Sequence, residues 1–315
     1  MSLEFEKPIV ELETKISELK HLSEHGEVNL SDEVLKLESK LKKLIEDSYN
    51  KLGPWEKTQL SRHPNRPYAM DYIAHMFPSF YELHGDRNYA DDPSIIGGLA
   101  KMSKKPLMVI AHQKGRSTKE KIKRNFGMPR PEGYRKAQRL MKLAEKFRIP
   151  LLTLIDTPGA YPGIGAEERG QSLAIAESLE IMTRLTVPIV SVVIGEGGSG
   201  GALAIGVADK VLMMQYSIYS VISPESCSSI LWRSPEKAKE AAKSLKLTAQ
   251  EVLKLGVADA VIEEPVGGAH KDHIDSAKRV KKAVKECFEE ISSLGPQDLI
   301  EHRYRKFRAM GVFSE

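Results

Sequence analysis

The sequence predicts an α/β protein whose mostly parallel sheet is covered by helices. Three observations carry this. From about residue 94 onward, short apolar, β-branched runs alternate with longer amphipathic stretches. Two of the strand-like runs end in glycine-containing turns, at 156–163 and 195–201, and each turn leads into a helical stretch. The runs at 151–155 and 189–194 are apolar almost throughout, as strands buried on both faces are.

Ahead of that alternation, residues 5–50 carry two helical stripes. Ile9, Leu12, Ile16 and Leu19 recur at helical spacing, Gly26 interrupts them, and Val34, Leu37, Leu41 and Leu44 form the second stripe. Ser31, in front of Asp32 and Glu33, reads as the N-cap of the second helix. The pair predicts an antiparallel helical hairpin, an arm for packing or assembly. Gly53-Pro54 and His63-Pro64-Asn65-Arg66-Pro67 punctuate the chain after it. In the α/β part, strands are expected at 107–111, 151–155, 189–194, 211–214 and 219–222. Helices are expected at 134–147, with Pro131 in a position suited to a first helical residue, and at 167–185, 234–255, 271–294 and 297–308. A loop is expected at 265–270, and a further helix starts at 202–208. The units 151–185 and 189–208 share one order of strand, glycine turn and helix. Ligands of such sheets bind at the carboxyl ends of the strands.

The 315 residues suffice for one large or two ordinary domains, and 41% hydrophobic with 29% charged residues is a globular balance. No apolar run reaches the ~18 residues of a membrane span. Met1-Ser2-Leu3-Glu4-Phe5-Glu6 lacks the basic and apolar regions of a secretion signal. Cys227 and Cys287 stand far apart without a C-x-x-C pair, so no disulfide framework or cysteine zinc site is expected, and the cytoplasm is the expected compartment. Charge is uneven: residues 101–148 hold sixteen Lys and Arg against three Asp and Glu, a local +13 in a chain of net +4. That concentration favours an anionic partner. Around 114–124, in an expected loop, aromatic residues for base stacking are sparse, with only Phe126 nearby. A phosphorylated small molecule therefore fits better than nucleic acid.

The richest local feature is Ile194-Gly195-Glu196-Gly197-Gly198-Ser199-Gly200-Gly201-Ala202-Leu203. Three motifs share its glycines. Gly195, Gly197 and Gly200 satisfy G-x-G-x-x-G, but the next strand ends in Gln215 and Tyr216, where a dinucleotide site wants an acid for the ribose. Gly197, Ser199 and Gly201 satisfy the G-x-S-x-G of a nucleophile elbow, and Asp259 and His270 follow in hydrolase order. Helix capping is the plainer role of the same hydroxyl. The third reading needs no side chain. Consecutive glycines at a helix N-terminus offer N–H groups to a developing negative oxygen, and losing one such donor raises a barrier by about 3–4 kcal/mol. The turn at 156–163 offers a parallel site. The sequence has no G-x-x-x-x-G-K-[ST], so it carries no P-loop.

Beyond these local patterns stand Gly85-Asp86-Arg87, Arg124-Asn125-Phe126-Gly127-Met128, Pro131-Glu132-Gly133-Tyr134-Arg135-Lys136-Ala137, Ile155-Asp156-Thr157-Pro158-Gly159-Ala160-Tyr161-Pro162-Gly163, Ala166-Glu167-Glu168-Arg169-Gly170-Gln171, residues 194–206 and Tyr219-Ser220-Val221-Ile222-Ser223-Pro224-Glu225. Together they resemble the carboxyltransferase alpha-subunit family of multi-subunit bacterial and plastid acetyl-CoA carboxylase. The resemblance covers almost the whole chain, the arm included. It implies a crotonase-like fold of ββα units with an N-terminal helical hairpin and C-terminal helices, residues 1–60 forming the arm and 61–315 the carboxyltransferase domain. It implies transfer of a carboxyl group from carboxybiotin on a carrier protein to acetyl-CoA, giving malonyl-CoA for fatty acid synthesis. The implied partners are a zinc-ribbon beta subunit, the biotin carboxyl carrier protein and biotin carboxylase, in an alpha2beta2 heterotetramer, with no metal in this chain.

By position, the resemblance makes the amides of Gly200, Gly201 and Ala202 the oxyanion hole for the biotin ureido oxygen. The enolate of acetyl-CoA falls mainly to the beta subunit. Gly163 and Ile164 occupy the corresponding turn of the preceding unit and line the biotin pocket, with ordinary tight-turn chemistry as their alternative. Lys119 and Lys121 are placed against the CoA phosphates or the partner subunit. The freed biotin nitrogen serves as base, which leaves His112, Glu196 and Glu225 to orient loops. A serine hydrolase using Ser199 stands as the alternative function, and a scaffold with a dead site as the non-catalytic one. Two positions depart from the expected pattern. Ser226 stands where glycine is expected after Ser-Pro-Glu and would be strained at positive φ. The turn Ser103-Lys104-Lys105 lacks the Asx-Gly pair that a hairpin prefers.

Overall fold

The computed structural model describes residues 3–25 and 31–312. It opens on α1 (Lys7–His25) and α2 (Ser31–Asn50), the expected pair, packed on each other. Ile9, Ile16 and Val34 are buried, and Leu12, Leu19, Leu37, Leu41 and Leu44 are half-buried. The break expected at Gly26 lies outside the described residues. Ser31, expected as the N-cap, is helical, and the residues before it lie outside the described residues. The pair docks on the body through a buried patch of Ile9, Tyr49, Leu60 and Tyr216.

A buried carboxylate completes that docking. Glu6 accepts the Leu3 N–H (2.9 Å) and the Tyr49 hydroxyl (2.8 Å), and His270 Nε2 lies 3.0 Å from it. His63 stacks on His270 with ring centroids 4.1 Å apart, and its Nε2 is 3.9 Å from Glu6. The Asn65 N–H donates to His63 Nδ1, which leaves the ring proton on Nε2, toward Glu6. The cluster is a buried carboxylate faced by a backbone N–H, a tyrosine hydroxyl and two imidazole rings. Burial alone would raise the Glu6 carboxyl, but the bonds from His270, Leu3 and Tyr49 outweigh it and bring it down to about 2. A carboxylate lowered on folding stabilises the protein fully above its ordinary value of 4.5, and that contribution is lost as pH falls toward about 2. The urea midpoint of Glu6→Gln is accordingly expected to lie furthest below that of the wild type above pH 4.5 and to converge on it as pH approaches 2. A gap that ignores pH would contradict this account of the clasp.

Next come α3 (Pro54–Ser61), α4 (Ala69–Met76) and the antiparallel strands β1 (Phe80–Glu82), β2 (Ile95–Met102) and β3 (Lys105–His112). Met102 pairs with Lys105 across the two-residue turn Ser103-Lys104, whose φ angles are 50° and 68°. Both central residues thus adopt the left-handed conformation that matches strand twist, without the usual Asn-Gly. Then follow α5 (Thr118–Lys123), α6 (Pro131–Lys146), β4 (Leu151–Thr157), α7 (Ile164–Glu168), α8 (Gln171–Arg184), β5 (Ile189–Gly198), α9 (Ser199–Leu203), β6 (Lys210–Met214), β7 (Ile218–Ser220) and α10 (Pro224–Trp232). The chain ends with α11 (Ala238–Ser244), α12 (Ala249–Lys254), β8 (Ala260–Ile262), α13 (His273–Ile291) and α14 (Pro296–Arg308).

The strands form one sheet in the order β1-β2-β3-β4-β5-β6-β8, with β7 beside the far end of β5, and it is parallel from β3 onward. Alternation sorts its residues onto two covered faces. Val109, Leu152, Val192 and Leu212 join α4 and α13 through Ile73 and Val280. Met108, Ile110, Leu151, Val193 and Met213 join α6 and α8 through Leu140, Met141 and Met182, and Ala202 and Ile205 also pack there. A polar pair inside that second face is satisfied: Thr153 donates to Ile205 O at 2.7 Å, with Ser191 Oγ 2.6 Å away.

Several expected boundaries shift. The helix expected at 167–185 is two helices, because Gly170 turns left-handed at φ 79° between α7 and α8. The stretch 234–255 divides into a 3-10 turn, α11 and α12, with Lys246 at positive φ between the last two. The basic loop around 114–124 contains α5, started by a capping box in which Ser117 and Glu120 satisfy each other's N–H groups. Ser226 lies in the first turn of α10, where Ser223 Oγ accepts its N–H at 3.1 Å, and it is not among the positive-φ residues. The strain expected there does not arise.

Candidate active site

The glycine segment is strand before it is turn. Val190–Val193 of β5 pair with β6, and Glu196–Gly198 then pair with β7 on that side. Across β4 the register shifts between Ile155 and Thr157, so that Thr157 faces Gly197. Of the residues expected as a bare turn, Glu196–Gly198 are therefore held as strand by β7, and Gly197 by Thr157 on the other edge as well. The chain reverses only at Ser199, at φ 54°, and enters α9. Two glycines are required by close backbone approach. A Cβ on Gly198 would sit 2.2 Å from Pro158 O, and one on Gly201 would sit 2.5 Å from Ala160 N. The loop after β4 thus lies directly against the start of α9, and the two expected glycine turns meet. In the first turn of a helix whose N-cap is Gly198, Gly200 and Gly201 have no intrahelical acceptor for their N–H groups, whereas Ala202 is the first residue placed to bond back, to the Gly198 carbonyl.

Beside this turn lies a chain of charges. Lys114 reaches Asp156 (2.8 Å) and Glu196 (2.9 Å), and Arg62 bridges Glu196 and Glu225, both at 2.5 Å. Asp156 also accepts the Glu196 N–H at 3.0 Å. Burial would lower the Lys114 ammonium, but Asp156 and Glu196 raise it above the ordinary lysine value. Burial would likewise raise the Glu196 carboxyl, and Lys114 and Arg62 hold it below the ordinary value. Both stay charged at neutral pH, and the network ties β5, the loop after α3 and the start of α10 into one frame. Arg66 adds a second tie: it donates to Ile194 O at 2.7 Å and forms a bidentate pair with buried Glu264.

The remaining expected residues are dispersed. Gly163 caps α7 and Ile164 follows it, 79% exposed, further along the loop that carries Gly159 and Ala160. Lys119 and Lys121 lie on α5, where Lys119 is exposed. Lys114 is tied into the buried network and Arg116 pairs with Asp71, so neither is free for a phosphate. Glu196 and Glu225 are both held by ion pairs to Arg62, and Glu196 also to Lys114. Ser199 is exposed at the mouth of a cavity of about 430 Å³, lined also by Gly200, Leu203, Tyr219, Val221 and Phe307. Its expected hydrolase partners are engaged elsewhere. Asp259 accepts the Val211 N–H and pairs with Lys306, and His270 belongs to the Glu6 cluster. Among the described residues, no triad assembles around Ser199. Sequence reading missed Arg62 and Arg66, whose partners lie more than a hundred residues away.

Comparison with known proteins agrees with this geometry. Residues 2–311 match the model of the family described as acetyl co-enzyme A carboxylase carboxyltransferase-like. The acetyl-coenzyme A carboxylase carboxyl transferase subunit alpha of Azoarcus sp. (strain BH72) is 57% identical over 313 residues, covering 99% of this chain and 98% of the relative. That of Methylococcus capsulatus is equally similar, at 57% over the same shares. The chain belongs to this family. Its members carry the name of one subunit of a carboxyltransferase, so this family member works in a multi-subunit enzyme. Among solved structures, a Pseudomonas malonate decarboxylase hetero-tetramer in complex with coenzyme A superposes with a TM-score of 0.60 at 16% identity, over 74% of this chain and 91% of that one. The transcarboxylase 12S core superposes at 0.59 with 20% identity, over 72% and 42%. These likenesses show the expected crotonase-like carboxyltransferase fold. Among the described residues, no helix is long and apolar enough to cross a membrane.

Proposed function

We propose that this chain forms the biotin-facing half of the carboxyltransferase site of acetyl-CoA carboxylase, in the cytoplasm, and that a zinc-ribbon beta subunit completes it. The observation that carries this is the start of α9, where the Gly200 and Gly201 N–H groups have no intrahelical acceptor, a loop presses against them and, among the described residues, no triad forms around Ser199. Carboxybiotin, presented by its carrier protein after biotin carboxylase has acted, supplies the activated carboxyl group for acetyl-CoA. The N–H groups of Gly200 and Gly201, with the Ala202 amide next to them engaged in the helix, hold the ureido oxygen as charge develops on it. Gly163 and exposed Ile164 line the approach. Residues 61–315 form this catalytic unit and 1–60 the arm, in an alpha2beta2 assembly.

The decisive experiment pairs the chain with a zinc-ribbon beta subunit and measures malonyl-CoA-dependent carboxylation of biotin. Turnover is expected from the pair alone; full turnover by the isolated chain overturns the reading. In the same assembly, reversing the charge of Lys119 and Lys121 is expected to raise the KM for acetyl-CoA several-fold, on the order of 1 kcal/mol for exposed ion pairs. An unchanged KM removes these lysines from CoA binding.

A further inference from the structure

The run from Ser61 to Arg66 lies between the seat of the arm and the strand that carries the site. It is folded on itself by His63 N–H to Leu60 O (3.1 Å) and Arg66 N–H to His63 O (2.9 Å). His63 is buried on the side of the arm, stacked on His270 and 3.9 Å from Glu6. Its neighbours face β5. Ser61 O approaches so closely that a Cβ on Gly195 would lie 3.1 Å from it. Arg62 holds Glu196 and Glu225, and Arg66 donates to Ile194 O. Residues 194–196 run directly into Gly197, Gly198 and the start of α9. A second route joins the same places. Glu264, the bidentate partner of Arg66, also accepts the N–H groups of Tyr216 (3.0 Å) and Ala269 (2.7 Å). Tyr216 meets Tyr49 of the arm edge-on, with ring centroids 5.6 Å apart, and Ala269 directly precedes His270.

Each of His63, His270 and Tyr216, on which the arm sits, is thus within one residue of a group that grips β5 or holds Arg66. A close-packed interior transmits a displacement rather than absorbing it. We propose that Glu6 is a positioning residue for carboxyl transfer: by seating His63 and His270 it keeps Arg62 and Arg66 in place on β5, and so fixes the Gly200 and Gly201 N–H groups against the loop after β4. The arm then acts on the geometry of the turn and leaves the binding of the CoA substrate alone. The inference rests on the oxyanion reading of α9 given above.

The test uses the full chain assembled with its beta subunit and the biotin-carboxylation assay, with rates taken per assembled pair as measured by size exclusion. Glu6→Ala removes the clasp. It is expected to lower kcat about tenfold, the scale of changes along a coupling network and below the ~100-fold of a 1 Å misplacement at the chemistry. The KM for malonyl-CoA is expected to stay unchanged. Glu6→Gln keeps an acceptor for the Leu3 N–H and the Tyr49 hydroxyl and is expected to restore part of the loss. Arg62→Met is expected to lower kcat by itself, and adding Glu6→Ala to it to lower kcat little further, because both act on one path. Losses that multiply, unchanged kcat in Glu6→Ala or an effect confined to KM overturns the proposal. If Glu6→Ala fails to assemble, Tyr49→Phe decides, since it removes one bond to Glu6 and keeps the ring in the arm's patch. A kcat about threefold down at unchanged KM supports the proposal, and wild-type kcat overturns it. A wild-type pair that is itself inactive removes the oxyanion reading of α9 and this proposal with it.

Discussion

Gly201→Ala is expected to lower carboxyl transfer at least ~100-fold, the scale of losing an oxyanion donor, while the variant still folds and joins its partner. The methyl group would lie 2.5 Å from Ala160 N and 2.6 Å from Gly159 C, both backbone atoms that no side-chain rotation clears. The start of α9 must then move away from the loop after β4, and the Gly201 and Ala202 N–H groups move with it. Gly200→Ala is the matched control. The nearest atom to its added methyl is Ile175 Cγ2 at 3.6 Å, an ordinary contact, and the N–H is kept. The ratio of kcat for the two variants in the biotin-carboxylation assay isolates geometry from chemistry. Wild-type turnover in Gly201→Ala would place the oxyanion elsewhere.

The largest expected loss of stability lies far from that turn. Arg303, on α14, is 1% exposed and pairs with Asp209 through Nε at 2.9 Å and through a terminal nitrogen at 3.0 Å. The same guanidinium donates to Met182 O (2.7 Å), Leu185 O (2.9 Å) and Val187 O (3.3 Å), where α8 ends with unsatisfied carbonyls. Arg303→Ala leaves a buried carboxylate and several carbonyls without their donor. The expected cost is about 3–5 kcal/mol, as for breaking other buried pairs, read as a drop in the urea midpoint. Asp209→Ala on the Arg303→Ala background is expected to recover only part of this, because the α8 carbonyls stay unpaired. Full recovery would assign the whole effect to the charge pair.

Element types were legible wherever the apolar pattern was strong. The runs at 151–155 and 189–194 are strands buried on both faces, and the stripes of 5–50 are helices, because burial periodicity is local information. What escaped was decided by distant contacts. β5 extends through its glycines because β7, twenty residues on, pairs with Glu196–Gly198; no local propensity announces that. α7 and α8 separate at Gly170 although the apolar spacing runs on. The site followed the same rule. Gly200, Gly201 and Ala202 were visible as a motif and Glu196 as its neighbour. Arg62 and the internal ties of Lys114 were not, because each ion pair joins segments far apart in the sequence. A run of basic residues looks alike whether its lysines face solvent or a buried carboxylate.

The Glu6 clasp carries a consequence for how the chain is made. Glu6 and His270 are separated by 264 positions. At translation rates of about 5–20 residues per second, His270 emerges tens of seconds after Glu6. Through that interval the arm has its own helices but no seat for its carboxylate, and His63 waits with it. The arm is therefore among the last parts to lock. A nascent chain stalled before residue 270 is expected to present the face bearing Ile9 and Tyr49 to whatever else in the cell can cover it.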